Sequence, residues 1–344
     1  MPDLLDTRNA FVDHAGVPSR LVFTMGLPAA VKTHATIAIP TYRRPRVLAE
    51  AIRSAFDQTW SGPVEIVVVD NEADEDVIED LRQTLNPPEN VRLSYYANAG
   101  NLGMFGNWNR SIELSSSEWI TILNDDDLLA PRFLQRMDDA FDLATASAGL
   151  LCQKTAFDVR IGQTPAVAAR KRWLRDALLD LMRFRGADRR TLEAKTFFWD
   201  CVTGNGLGFL FRRTKAIELG GYQPEDYPSA DYFFFARYAA RFGLVQVASR
   251  LAFVRIEDNA TLRTETLEAT IRQNHKLRGL LLNGWAPQSW SRWSSWIVAW
   301  QFRTMDRVAS APLDRQRIAS GLDLEPARGP SAMVLLVRLA HSGL

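Results

Sequence analysis

The chain has 344 residues, 47% hydrophobic and 24% charged, which suits a globular protein built as one large domain or two ordinary ones. Its 41 Lys and Arg nearly balance 40 Asp and Glu, so it lacks the basic excess of a nucleic-acid binder, and no apolar run approaches the ~20 residues of a membrane span. Two distant cysteines, four scattered histidines and an acidic N-terminus without a long apolar run argue against a disulfide scaffold, a zinc site, a Ser-His triad and a signal peptide, and together predict a cytoplasmic protein.

After an N-terminal extension of about 30 residues the chain alternates short β-branched runs with amphipathic segments. TIAIP (36–40) predicts a strand that TYRRP breaks, and PRVLAEAIRSAFDQ spaces its apolar residues as a helix with Pro45 in the first turn. VEIVVVD (64–70) has the near-continuous Val/Ile content of a parallel strand buried on both faces. DEDVIEDLRQTL predicts a short acidic helix, VRLSYY (91–96) a third strand, MFGNWNRSIELS a helix and EWITILN (118–124) a fourth strand. PRFLQRMDDAFDLA predicts another helix and GLLCQKTAFDV another strand. This alternation means an α/β domain with a mainly parallel sheet. Beyond 157 the pattern loosens. A basic amphipathic helix is expected over 170–185, a strand and ligand-side loop over 197–213, and an aromatic-rich helix towards 243. LVQVASRLAFVRIEDNATL is expected to form a hairpin and a polar loop, and the chain beyond about 265 to be helical.

Ligands of parallel sheets bind at the carboxyl ends of the strands. Four polar clusters fall there: PTYRR, DNEAD, NAGNLG (98–103) and NDDD. The last places Asp125, Asp126 and Asp127 side by side directly after a hydrophobic strand, where like charges repel and burial makes each more costly. Two readings answer this: a solvated turn that caps the helix starting near Pro131, or a cluster neutralised by a divalent cation. Convergence of all four clusters on one crevice favours a site.

Taken in order, IPTYRRP, VVVDNEAD, NAGNLG, LNDDDLL, GGYQPEDY…ADYFFFARYA and VRIEDNATL resemble an inverting family 2 glycosyltransferase of the GT-A fold, from about residue 36 to 262. The resemblance implies a Rossmann-like, mainly parallel central sheet flanked by helices, with a helical C-terminal extension. It divides the chain into an N-terminal extension (1–33), a GT-A domain (34–262, with a nucleotide-sugar half 34–130 and an acceptor half 131–262) and a helical C-terminal region (263–344). The implied reaction moves a sugar from a nucleotide-sugar, a UDP-sugar at family level, to a hydroxyl of a glycan or lipid-linked glycan, as in polysaccharide biosynthesis.

The leaving diphosphate gains negative charge as the glycosidic bond breaks, and a hard cation such as Mg²⁺ or Mn²⁺ neutralises it. In the family's LDxDD pattern, Asp126 becomes the direct metal ligand, Asn124 a ribose contact, and Asp127 a metal ligand through water or an acceptor-side group; Asp125 joins the donor site. Asn124 departs from the family's Asp, and an Asp125-x-Asp127 register is the alternative. Asp70 corresponds to the aspartate on the nucleobase edge, with Pro40, Thr41 and Arg43 lining the same pocket. Asn98, Asn101 and Gly103 form a loop that approaches the donor closely, or a turn for its own sake. Arg255, in the tail that closes over the diphosphate, is expected to pair with phosphate oxygens; the usual family His is absent there.

Inverting transfer needs a base that takes the acceptor hydroxyl proton during in-line attack. The family's E-D-Y segment corresponds to SADYFFFAR, which makes Asp231 the general base, with Ala230 where Glu is frequent. A helix N-cap is the plain alternative for that Asp. Gly204, Asn205, Gly206, Asp226 and Arg237 are the expected acceptor contacts. In the tail, Trp290, Trp293, Trp296 and Trp300 share one side of a helical wheel, as core, homodimer interface or peripheral membrane face, and Trp285 stands just before them. The competing class is a degenerate protein of the same fold that binds nucleotide or sugar without turnover.

Overall fold

VEIVVVD forms β3 (Val64–Asp70), buried along its whole length because it lies inside the sheet. The computed structural model describes residues 3–141, 143, 148–171, 184, 186–199, 205–257, 262–319 and 321–322. In it β3 runs parallel to β2 (Ala35–Thr41) on one side and β4 (Val91–Asn98) on the other. β2 is also parallel to β5 (Trp119–Ile122). Helices α1 (Pro45–Phe56), α2 (Glu75–Thr84) and α3 (Gly103–Leu114) make the crossovers. Asp74 caps α2, its carboxylate accepting from the Asp76 and Val77 N–H groups. The chain steps outward from β2 to β3 and β4, then returns to the far side of β2 as β5. Its strand order therefore reverses between β2 and β5, which opens a crevice at their carboxyl ends.

The second half adds β6 (Leu128–Leu129), α4 (Phe133–Phe141), β7 (Gly149–Asp158), α5 (Pro165–Lys171), β8 (Arg189–Leu192), β9 (Phe209–Arg212) and β10 (Leu244–Ile256). With β1 (Ser19–Gly26) from the N-terminal segment, one ten-stranded sheet results among the described residues, in the order β1-β4-β3-β2-β5-β9-β7-β10-β6, with β8 also on β10. β7 and β10 are parallel, while β9 runs antiparallel between β5 and β7. The fold is thus α/β of the GT-A type. One core lies between the sheet and α1, α2 and α4. The other packs α3 and the helix Ala230–Phe242 on the opposite face through edge-to-face rings such as Phe209 on Tyr238 (5.2 Å, 87°).

Three expectations change. The extension before residue 34 is built into the fold: β1 (Ser19–Gly26) pairs antiparallel with β4, Leu4 is fully buried, and Arg110 of α3 donates to the His14 and Val17 carbonyls, both at 2.8 Å. The hairpin expected from LVQVASRLAFVRI is instead the single strand β10, because ASR at its middle holds no Gly, Pro, Asn or Asp to reverse the chain; the irregularity there is spent as two register shifts around Arg250. The tryptophans divide: Trp285, Trp290 and Trp293 are half-buried against the second core, with Trp290 4.8 Å from Trp199, whereas Trp296 and Trp300 are half-buried on the helix Ser294–Asp306. The basic helix expected over 170–185 lies mostly outside the described residues. No helix among those described is long and apolar enough to cross a membrane.

Candidate active site

β2 ends in the turn that starts α1, and there Arg43 takes a left-handed φ of 55°, an unusual conformation for a side-chain-bearing residue. Pro40 is tolerated inside a central strand because register pairing with β5 stops at Ala38, so the missing N–H removes no ladder bond. Thr41, Arg43, Arg44, Asp70, Glu72 and Val77 line a cleft of about 390 Å³ at this end of the sheet. Asp70 forms part of its floor, accepting from Tyr95 Oη at 2.5 Å and from the Glu72 N–H at 2.9 Å. Burial pushes its pKa up against those two bonds. Arg43 is mostly exposed and pairs with Glu72.

The acidic triplet lies in the loop that links β5 to β6. Asp125 Oδ2 accepts from Thr41 Oγ1 at 2.8 Å, and its Oδ1 lies 3.6 Å from Arg44 Nη1. Asp126 Oδ2 lies 2.5 Å from the same Arg44 Nη1. The two carboxylates therefore converge on one cation. Burial raises the Asp125 pKa to about 6, with Asp126 adding like-charge repulsion. Asp127 differs from both. It is 2% exposed, and its oxygens accept from Asn124 Nδ2 and the Arg255 backbone N–H, both at 2.9 Å. Burial, then the Asp126 charge, pushes its pKa to about 7. Each of its oxygens accepts one protein donor, and Asp127 ties the loop to β10. Asn124 is correspondingly turned to Asp127. Arg255, expected on phosphate, is 6% exposed; its Nε donates to the Asp126 carbonyl at 2.8 Å and its Nη2 pairs with Glu50. It braces the triplet from behind.

Asn98 is likewise turned inward. Its Nδ2 donates to Asn71 Oδ1 (2.8 Å) and Asn107 Oδ1 (3.0 Å), while Asn107 Nδ2 donates to the Val69 carbonyl (2.9 Å). This buried amide lattice stitches β3, β4 and α3 together and leaves Asn98 little capacity for a ligand. Asn101 accepts from the Gly103 N–H at 2.8 Å in a turn that starts α3, and Gly103 takes φ +70°. Nothing lies within 4 Å of the Gly103 Cα substituent position, so the backbone there faces open space.

Asp231 opens the helix Ala230–Phe242, and its Oδ1 accepts from the Tyr232 N–H at 2.8 Å. Gly206 packs against it, a Cβ there lying 3.7 Å from the Asp231 Cβ. Crowding by protein raises its pKa to about 6, against that hydrogen bond and the Lys154 charge. Gly206 thus touches the base candidate, while the Asn205 carbonyl accepts from Lys154 Nζ; Gly204 lies outside the described residues. The expected acceptor contacts Asp226 and Arg237 face inward. They pair at 2.5 Å (Asp226 Oδ2 to Arg237 Nη1) at 1% and 5% exposure, and Arg237 Nε donates to the Leu4 carbonyl at 3.1 Å. Burial removes both from any acceptor surface.

Sequence reasoning missed Arg44 and Lys154. The first stood beside Arg43 in TYRRP, where only the left-handed turn decides which arginine reaches the aspartates. The second was visible as a lone charge inside the apolar strand GLLCQKTAFDV.

The model of the family described as "Glycosyl transferase family 2" matches residues 36–219, more than half of the chain. An uncharacterised protein of Mycobacterium tuberculosis, MT1568, is 24% identical over 299 residues, which cover 82% of this chain and 87% of that protein. The GalNAc(5)-diNAcBac-PP-undecaprenol beta-1,3-glucosyltransferase of Campylobacter jejuni is 31% identical over 98 residues, covering 27% of this chain and 30% of that enzyme. Among solved structures, the mannosyltransferase PcManGT from Pyrobaculum calidifontis in complex with GDP-Man and Mn²⁺ superposes with a TM-score of 0.55 at 15% identity, over 90% of this chain and 81% of that one. S. aureus TarS 1-349 in complex with UDP-GlcNAc gives 0.54 at 15% identity, over 84% and 80%. The family pattern spans the strand-end clusters around the cleft and the acidic triplet, on a fold shared with sugar-transferring enzymes: this chain belongs to glycosyl transferase family 2 and is a glycosyltransferase.

Proposed function

We propose that the protein transfers a sugar from a nucleoside-diphosphate sugar to a hydroxyl of a glycan or lipid-linked glycan, with inversion, and that Asp231 is the general base. One observation carries the reading. Two carboxylates, Asp125 and Asp126, meet the single cation of Arg44, which itself lines the cleft at the strand ends. The cleft between Thr41, Arg43 and Asp70 suits a nucleobase and ribose, Asp70 offering an acceptor edge. The solved neighbours bear UDP-GlcNAc and GDP-Man, so either base agrees with the comparison.

The donor set fits a hard divalent cation. No group of three His, Cys, Asp or Glu among the described residues could hold a metal alone. Mg²⁺ in particular is commonly held by one or two carboxylates with substrate phosphates completing its shell. Asp126, with the Asp125 Oδ1 beside it, would supply the protein's share. When bound, the cation offsets the charge that develops on the leaving diphosphate. Arg44, which now satisfies both aspartates, is within reach of the same phosphates and can pair with them once the carboxylates hold a cation. Asp231 takes the acceptor proton at its Oδ2 while its Oδ1 stays fixed by the Tyr232 N–H. Attack from the side opposite the diphosphate then gives inversion.

The test is thermal melting with UDP, GDP and dTDP, each with and without Mn²⁺, on the wild type and on Asp126→Asn. One nucleotide is expected to raise the Tm by several degrees only when Mn²⁺ is present, since saturation at 100 times Kd stabilises by about 2.7 kcal/mol. Asp126→Asn should lose the metal-dependent part of that rise. Because Asp125 holds its proton up to about pH 6, the rise should also fade below that pH. No shift with any nucleotide would return the triplet to a structural turn.

A further inference from the structure

Lys154 stands mid-way along β7, and Arg250 of β10 donates to its carbonyl at 2.7 Å. On one side β7 pairs with β10, Lys154 opposite Ala252, and the next residue of β10, Phe253, pairs with Leu128 directly after the acidic triplet. On the other side the Cys152 N–H donates to the Gly208 carbonyl at 3.1 Å, which brings the 205–208 loop against the strand. Gly208 permits that approach: it takes φ +72°, and a Cβ there would meet Cys152 Sγ at 2.5 Å and Lys154 Cε at 3.9 Å. Lys154 Nζ donates to the Asn205 carbonyl and lies 5.9 Å from the ring centroid of Phe235, one helical turn after Asp231. The loop residue next to Asn205, Gly206, packs directly against Asp231: a Cβ on it would lie 3.7 Å from the Asp231 Cβ.

We propose that Lys154 is a positioning residue for the base: its ammonium, anchored on the Asn205 carbonyl, fastens the 205–208 loop beneath the helix Ala230–Phe242 and holds Asp231 as a carboxylate. The inference rests on the reading of Asp231 as general base. A long cation in a half-buried strand position costs desolvation and side-chain entropy. Offsetting that cost with a loop carbonyl and a field shared by two carboxylates is the arrangement found. The charged or titratable groups that act with Asp231 are Lys154 from β7 and Tyr222 from the segment before the helix. The Tyr232 N–H and the backbone of Gly206 complete its surroundings, and Asp127 draws on the same ammonium from the β10 side. Of these groups, Lys154 is the one whose positive charge favours the ionised base. Removing it while keeping the fold therefore moves the base in one direction only, towards holding its proton.

The experiment is a carbon-13 titration of aspartate side-chain carboxyls in the full chain, with the Asp231 resonance assigned by its loss in Asp231→Asn. The wild-type midpoint is expected near the value of about 6 set by the folded surroundings. In Lys154→Met it should lie about one pH unit higher, the lower end of the effect of a nearby opposite charge. Lys154→Gln, which keeps a donor for Asn205 and preserves the packing, should move it as Lys154→Met does. Lys154→Arg should leave it within a few tenths of the wild type. An unmoved midpoint in Lys154→Gln overturns the inference, whatever Lys154→Met does to folding. The titration needs no turnover, so it stands apart from the base assignment: Asp231→Asn enzyme that still transfers sugar overturns that assignment even where the resonance moves as expected.

Discussion

Asp231→Asn is expected to lower sugar transfer by about 100- to 10,000-fold, the usual contribution of a positioned general base. The amide matches the carboxylate in size, and its oxygen can still accept the Tyr232 N–H, so the helix start should keep its form. It cannot take a proton from the acceptor hydroxyl. The donor cleft and the acidic triplet lie on other elements, so nucleotide binding and its metal dependence should persist in the variant. Loss confined to kcat, with donor affinity kept, marks an interaction made at the transition state. The pH dependence follows with a definite sign. The base must be ionised to act, and burial raises its pKa to about 6, so kcat at saturating donor and metal should climb tenfold per pH unit below that value and level off above it. Measuring transfer of labelled sugar by wild type and variant from pH 4.5 to 8 checks both parts. A variant with more than a tenth of wild-type turnover would sink the assignment.

Asp226→Asn is expected to act on stability. Asp226 is 1% exposed and accepts from Arg237 at 2.5 Å and from Lys276 at 3.3 Å. The amide removes the charge while Arg237 stays buried with its guanidinium over the Phe233 ring. Removing one partner of a buried pair costs about 3–5 kcal/mol, because the remaining charge has no counterion. For a chain of this size that is a fall in Tm on the order of 10 °C. Arg237 also holds the Leu4 carbonyl, and Lys276 belongs to the helix Thr264–Leu282, so the pair joins the chain's first residues and its C-terminal region to the helix that carries Asp231. The measurement is thermal melting in the absence of ligand. An unchanged Tm with weakened acceptor use would restore the acceptor-contact role expected from the motif.

These two aspartates show how far residue patterns reach. Both fell in the same motif-bearing stretch, and both are residue types that catalysis uses. Only packing separates them: Asp231 is partly exposed at a helix start, whereas Asp226 is 1% exposed in the turn Pro224–Asp226, paired with Arg237. The same holds for the amides. Asn98 was placed at the end of the correct strand, but its commitment to Asn71 and Asn107 depends on strands and a helix meeting at a point no local pattern encodes.

By itself the sequence determined the alternation of β2, α1, β3, α2, β4, α3 and β5, because hydrophobic period and strand-breaking residues are local properties that burial on both faces of a parallel sheet demands. It also determined that polar clusters end these strands, and through their order the family. The tertiary structure decided which side chains at those ends face the crevice. It drew Arg44 onto Asp125 and Asp126, turned Asp127 and Arg255 inward to brace them, made an edge strand of the N-terminal extension, and set Lys154 between the triplet and the base. The physical reason is that a hydrogen bond or ion pair between residues far apart in the chain depends on sheet register and crossover path, and each such pairing fixes a charge that its own neighbours in sequence leave free.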